Sequence, residues 1–361
     1  MSLGPHRPNK PRPLVFLKSL LGWTALVLGF SSGLNATPAW AQNKTAKKVA
    51  KKVAEKKVEK MTDEEDTLSA KEIDLTTEDG LELKATYFPG TKGQESIPVI
   101  LLHGFKDKGS RKDFTQEQGL ASFLQEKLGC SVIVPDLRGH GDSTKIKISS
   151  KRTDDLKGKK LSPVQISAMV TQDMRAVKDF LWEKNNEKAL NIDKLTVIGL
   201  EEGGALALSY AAYDAVGYEQ REAKVGPLKL GRFVKAAVLI SPTTNIAGLK
   251  TPQVMKMPAI CRDLPVMIVV GNKSKEPLAE AERLRSQFVN ARPPADNDKP
   301  ESATVWFFRK IDTPLQGSKL LGEPSLKVPD KILTFMTVWL VKNADAKDYV
   351  WKKRNLPHQD K

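Results

Sequence analysis

Six runs of four or five residues, apolar at nearly every position, constrain this chain most. They are 98–102 (PVILL), 132–135 (VIVP), 195–198 (LTVI), 236–240 (AAVLI), 266–270 (VMIVV) and 304–308 (TVWFF). Strand side chains point alternately to opposite faces, so a run without polar alternates is buried on both. That burial suits the interior of a parallel sheet with helices on each side. Between the runs, 114–128, 166–182, 203–212, 278–288 and 332–341 carry apolar residues three to four apart. This is the period of a helix with one buried face. Ahead of the first run, Ile73, Leu75, Leu81, Leu83, Ala85 and Tyr87 alternate with polar residues around Asp79-Gly80, which reads as a hairpin. Strand and helix in alternation predict one doubly wound α/β domain over 70–345, followed by a polar tail over 346–361.

The amino terminus has a different character. Arg7, Lys10, Arg12 and Lys18 precede an apolar run at 20–30, and a small-residue stretch ends at Ala39-Trp40-Ala41. A positive start, a short apolar middle and an A-x-A site describe an export signal over 1–41. This places the rest of the chain in the periplasm or outside the cell; an uncleaved membrane anchor is the alternative. Residues 42–69 are a Lys-rich, then acidic, linker. Their basic stretch, from Lys44 to Lys60, repeats AKKV with valines four apart, an apolar stripe one residue wide. Such a stripe cannot pack a helix face. The stretch reads either as a solvated linker or as a tether to an anionic envelope surface.

The formal charge of +15 is spread unevenly: +4 falls in 1–41, +2 in 42–69 and +9 in the remainder. The globular part is only mildly basic, and no nucleic-acid partner is expected. Two cysteines exclude a disulfide scaffold and a four-cysteine zinc site. With no Walker-type loop and no ligand cluster in the sequence, neither a metal nor another cofactor is expected.

In open α/β sheets the working site lies beyond the carboxyl ends of the strands. There the sequence places His103-Gly104-Phe105, then Asp136-Leu137-Arg138-Gly139-His140-Gly141-Asp142-Ser143, then Gly199-Leu200-Glu201-Glu202-Gly203 opening a helix. In this order the three loops resemble the α/β-hydrolase superfamily, of the esterase, lipase and serine-aminopeptidase type, over residues 71–345. The resemblance implies a mostly parallel eight-stranded sheet flanked by helices. It also implies an elbow whose glycines, Gly199 and Gly203, allow close approach of strand and helix. Position 201 is then the nucleophile's place, and the amides of Phe105 and Glu202 form the oxyanion hole. Cys130 and Cys261 precede strands about four positions apart, too far for a disulfide, so two buried free thiols are expected.

The residues at the catalytic places depart from the family's pattern. Glu201 stands for the serine, Ser274 for the acid after the seventh strand, and Gln316 for the histidine after the last. An amide takes no proton near neutral pH, and a carboxylate is a poor acyl acceptor. Of the four histidines, His6 lies in the signal and His358 in the tail. His103 and His140 read as loop-fixing residues, with His103 the better substitute base. Two further arrangements are open: a carboxylate pair of Glu201 with Asp312, and an ion pair of Glu201 with Lys273 or Lys319. Glu202 is expected to point away from the site. The site itself is expected to be open, with partial cover from 149–161.

The sequence thus reads as an exported protein with a hydrolase fold but no competent catalytic residue, serving to bind an unidentified small molecule or protein. Its rivals are an active ester or peptide hydrolase with a non-standard nucleophile and a surface-tethered structural protein.

Overall fold

The computed structural model describes residues 68–105, 109–225, 232–291, 306–342 and 349–354. The export signal, most of the linker, His6 and His358 lie outside them. Among the described residues ten strands form: β1 Lys71–Thr76, β2 Glu82–Phe88, β3 Pro98–Leu102, β4 Ser131–Pro135, β5 Lys145–Ser149, β6 Arg152–Asp155, β7 Leu195–Leu200, β8 Val234–Ile240, β9 Val266–Gly271 and β10 Trp306–Ile311. Eight of them make one sheet in the order β1-β2-β4-β3-β7-β8-β9-β10. The β1–β2 and β2–β4 pairs are antiparallel, and the pairs from β4 through β10 are parallel. The expected fold is therefore the observed one.

The apolar runs do what double burial requires. In β3, Ile100 and Leu102 enter one core while Val99 and Leu101 enter the other. In β8, Ala237 and Leu239 oppose Ala236, Val238 and Ile240, and in β9 Val266, Ile268 and Val270 oppose Met267 and Val269. The first core is covered by α2 (Met174–Asn186), α3 (Glu202–Val225) and α4 (Lys275–Ala291), and the second by α1 (Leu120–Leu128) and α6 (Val328–Thr337). A short helix, α5 (Gly317–Gly322), follows the last strand. Cys130 and Cys261 are buried free thiols, one in each core, on opposite sides of the sheet.

Several boundaries differ from the sequence reading for local reasons. The helix expected over 114–128 is interrupted: a turn of helix at Lys112–Thr115 is separated from α1 by Gln118 at φ +60°. The first helical turn of the next element, Pro163–Ala168, is capped by Ser162 and Gln165, each side chain bonding the other's backbone. It joins α2 through a π-helical turn, Met169–Asp173, so the helix runs well past both expected ends. The β5–β6 hairpin was not foreseen. Its lysine-rich alternation, KIKIS, carries the strand period, but it leaves only Ile146 partly packed. Residues 349–354, expected to be tail, are laced to the body. Trp182 Nε1 donates to the Arg354 carbonyl at 2.9 Å, Asn185 Nδ2 to that of Lys352 at 2.9 Å, and Asn191 Nδ2 to that of Tyr349 at 2.7 Å.

The π turn has a structural use. It carries Asp173, which is fully buried and accepts from Arg138 Nη2 at 2.5 Å. Arg138 is 1% exposed and also donates to both oxygens of Asp79, at 2.6 and 2.9 Å. One guanidinium thus joins the hairpin turn, the loop after β4 and the helix above them. Burial alone would raise the Asp79 pKa, but the Arg138 hydrogen bonds and charge bring it below the usual carboxylate value. Arg138→Leu leaves Asp173 buried without its cation. We expect a loss of about 3–5 kcal/mol in urea unfolding, with most of it recovered by adding Asp173→Leu. A single variant as stable as the parent would show that the triad holds nothing together.

Candidate functional site at the strand-to-helix turn

The turn between β7 and α3 is a tight backbone passage. A Cβ on Gly199 would overlap the carbonyl of Gly203. A Cβ on Gly203 would overlap that of Leu102 and stand 2.6 Å from that of His103. Both contacts demand glycine. Between them Glu201 is held at φ +50°, a conformation that costs a non-glycine residue roughly 1–2 kcal/mol. Its amide donates to the Ile240 carbonyl at 2.9 Å, and its own carbonyl accepts from Gly204 at 3.0 Å and Thr243 at 3.1 Å. The neighbouring strands therefore hold position 201 in place whatever side chain it bears.

The Glu201 carboxylate does not project into open space. One oxygen lies 2.7 Å from where a Cβ on Gly104 would stand, and the other 2.8 Å from one on Gly317. It is lodged between the loop after β3 and the first residue of α5. Glu202 departs from expectation. It does not turn away; its Oε2 accepts from the Phe105 amide at 3.0 Å, and the residue is 3% exposed. The reason is the tightness of the elbow. The first turn of α3 passes so close to the β3 loop that a buried side chain at 202 meets that loop rather than solvent. One of the two amides expected to receive an oxyanion is thus already donated to a carboxylate.

The other two catalytic places are equally occupied with the backbone. Gln316 Nε2 donates to the Gly271 carbonyl at 2.9 Å. Its Oε1 accepts from Ser241 Oγ at 2.7 Å and from the Gly271 amide at 3.3 Å. Ser241 Oγ in turn accepts from the Gly317 amide at 3.0 Å. The side-chain amide therefore pairs with a peptide group much as a strand would, and it ties the loop after β10 to the end of β9. Ser241 was missed by sequence reasoning. The signal available was its place at the carboxyl end of β8, just before Pro242. Ser274 Oγ donates to the Pro314 carbonyl at 2.8 Å, a second tie onto the same loop. Asp312 faces outward, and its carboxylate takes Lys273 Nζ at 3.0 Å. This corrects two expectations at once: Lys273 is paired with Asp312 rather than with Glu201, and Asp312 is not turned in as a partner carboxylate.

Both nearby histidines serve the loops. His103 is fully buried, its Nδ1–H donating to the Gly104 carbonyl at 2.7 Å and its Nε2 accepting from the Leu137 amide at 2.9 Å. The two bonds specify one neutral tautomer. His140 spans the carbonyls of Arg138, 2.9 Å from Nδ1, and Phe105, 3.0 Å from Nε2. Among the described residues, then, each imidazole near the elbow has both ring nitrogens against the backbone. No group of three or more potential metal ligands occurs among them either.

Burial lowers the His103 pKa to about 3, the Gly104 carbonyl opposing the shift only in part. The folded chain therefore excludes a proton that the unfolded chain takes up below pH 6.5. The resulting stability is complete above pH 6.5 and is lost as the pH falls from there toward 3, at about 1.4 kcal/mol per pH unit. We expect His103→Asn, whose amide can still accept from Leu137, to remove about 2 kcal/mol of the fall in unfolding free energy between pH 6.5 and 5. An unchanged pH slope in urea titrations would mean that the ring titrates in the folded protein.

With the geometry described, the chain can be set beside known proteins. Residues 97–290 match the sequence pattern of the α/β hydrolase fold family, more than half of the chain. No curated protein matches by sequence. Among solved structures, an esterase from Pyrococcus furiosus superposes with a TM-score of 0.50 at 15% identity, over 76% of this chain and 92% of that one. A second crystal form of that esterase gives 0.50 at 17% identity, over 76% and 94%. A dienelactone hydrolase from Anabaena variabilis gives 0.47 at 16% identity, over 76% and 97%. At such identities the structural likeness speaks for the fold alone. Together, the sheet order, the glycine-bounded elbow and the matched sequence pattern establish that this chain belongs to the α/β-hydrolase fold family.

Proposed function

We propose that this protein uses the hydrolase fold as a noncatalytic binding or interaction module, exported from the cytoplasm. The observation that carries the reading is the Glu201 carboxylate, lodged between Gly104 and Gly317 where the family's nucleophile and its acyl group would meet. Acyl transfer needs an attacking group, a base to take its proton and donors for the developing oxyanion. Here a carboxylate takes the attacker's place. Gln316, in the base's place, has its amide paired to Gly271. The Phe105 amide is bonded to Glu202. The sequence of 1–41 supports export through its basic start, apolar run and A-x-A site.

Family membership favours the rival reading, a working hydrolase with an unusual nucleophile. The two separate on the full-length chain and a Glu201→Ser, Ser274→Asp, Gln316→His triple variant, each tested with a fluorophosphonate probe and a panel of short acyl esters and peptides. We expect no labelling and no turnover above background for the unaltered chain, and labelling with ester turnover at least about tenfold above it for the variant. Turnover by the unaltered chain that is abolished by Glu201→Ala would establish the rival.

A further inference from the structure

Around the loop after β4 lies a cleft of about 840 Å³. It is lined by Gly109, Ser110, Arg111 and Lys112, by Lys157, Gly158, Lys159 and Lys160, and by His140 between them in sequence. Neither Glu201 nor Glu202 lines it. We propose that this cleft is a binding site for a multiply charged, phosphate-bearing ligand, independent of the elbow and of the reading given to it above.

The charge of the cleft carries the argument. Among the described residues two carboxylates line it, and Arg111 engages both. Asp136 accepts from the Arg111 amide at 2.7 Å and from its Nη1 at 2.5 Å, and it also accepts from the Asp142 amide at 2.9 Å. Asp142 accepts from Arg111 Nη2 at 3.0 Å. The same Arg111 Nη2 reaches Glu72 at 2.8 Å. This leaves Lys112, Lys157, Lys159 and Lys160, all exposed, and none of the four makes an ion pair among the described residues. Asp154 and Asp155 lie within electrostatic reach of Lys159 and Lys157 but bond elsewhere, Asp154 to Arg152 and Asp155 to the Lys157 amide. Four lysines that line one concavity without an ion pair among the described residues favour a ligand of several negative charges over a single carboxylate.

Both lining segments are held in place. Arg111 is locked onto buried Asp136, which fixes the residue beside Lys112. In the second segment, the lysine turn hangs between two apolar anchors. Leu156 is 5% exposed, its amide donating to the Thr144 carbonyl at 2.7 Å. Leu161 packs against Gly139, where a Cβ would stand 3.1 Å from its side chain. Between the anchors the Lys159 amide closes a turn onto the Leu156 carbonyl at 3.0 Å. Nothing lies within 4 Å of the Cβ position at Gly158, so the segment is open to a ligand there. Held segments lower the ordering cost of binding, and the volume suits a small-molecule ligand.

The test uses the full chain, inorganic tripolyphosphate as the probe, and two triple variants of equal charge change. Lys157→Gln, Lys159→Gln and Lys160→Gln alter the cleft; Lys188→Gln, Lys256→Gln and Lys275→Gln alter exposed lysines elsewhere. The basic stretch from Lys44 to Lys60 is present in both, so its contribution cancels. We expect calorimetric affinity to fall about tenfold in the cleft variant and less than twofold in the control. Vesicles of phosphatidylglycerol, against phosphatidylcholine, separate the two sources of phosphate. Cleft-dependent binding to the anionic vesicles but not to tripolyphosphate would identify a lipid headgroup as the ligand's source. Equal weakening in both variants, or no cleft-dependent binding to either probe, would overturn the proposal.

Discussion

Everything at the centre of this protein follows from how closely β7, the loop after β3 and the start of α3 approach one another. Gly199 and Gly203 meet backbone carbonyls where any side chain would collide. That proximity holds residue 201 in a left-handed conformation, aims it at the carboxyl edge of the sheet and brings residue 202 against the β3 loop. The geometry is indifferent to chemistry: it would present a serine as readily as it presents Glu201. The strain at 201 is set by these backbone contacts and not by the side chain the residue carries.

Around the elbow, polar side chains bond to the backbone of neighbouring loops. Gln316 and Ser274 fasten the loops after β9 and β10 to each other, and Ser241 adds the end of β8. His103 fastens the β3 loop to the β4 loop. The Gln316 and His103 bonds satisfy half-buried and buried peptide groups that would otherwise cost free energy. The result is a rim of loops sewn together by side chains, with the carboxylates of Glu201 and Glu202 beside the loop after β3. The Arg138 and Arg111 networks extend the same pattern outward. Each arginine consumes two or more carboxylates and thereby sets what charge remains on the neighbouring surface.

Much of the fold was legible because it rests on periodicity and local sterics. The apolar runs at 98–102 and 266–270 announce strands buried on both sides, and the glycines at 199 and 203 announce a tight turn after a strand. The β5–β6 hairpin was not legible: KIKIS alternates over only five residues with Ile148 exposed, and its partner RTDD has no apolar residue to complete a hairpin pattern. The split of the helix before α1 turns on the backbone at Gln118, a residue that gives no warning of a positive φ. The docking of 349–354 depends on Asn185, Asn186 and Asn191 meeting main-chain groups more than 150 residues away, and a short polar peptide has no pattern that foretells it.

The amino-acid order alone thus determined the sheet, its helical cover, the position of the elbow and the residue types at the three catalytic places, since each of these is a matter of spacing and side-chain identity. Only the tertiary structure decided the partners. It set Glu202 on the Phe105 amide, Lys273 on Asp312 rather than Glu201, Arg111 on both acids of the basic cleft, and both histidines on the backbone. Hydrogen bonds and ion pairs act over about 3 Å, between groups brought together by packing of elements far apart in the chain. A sequence states which groups are present, and the packed fold chooses which of them meet.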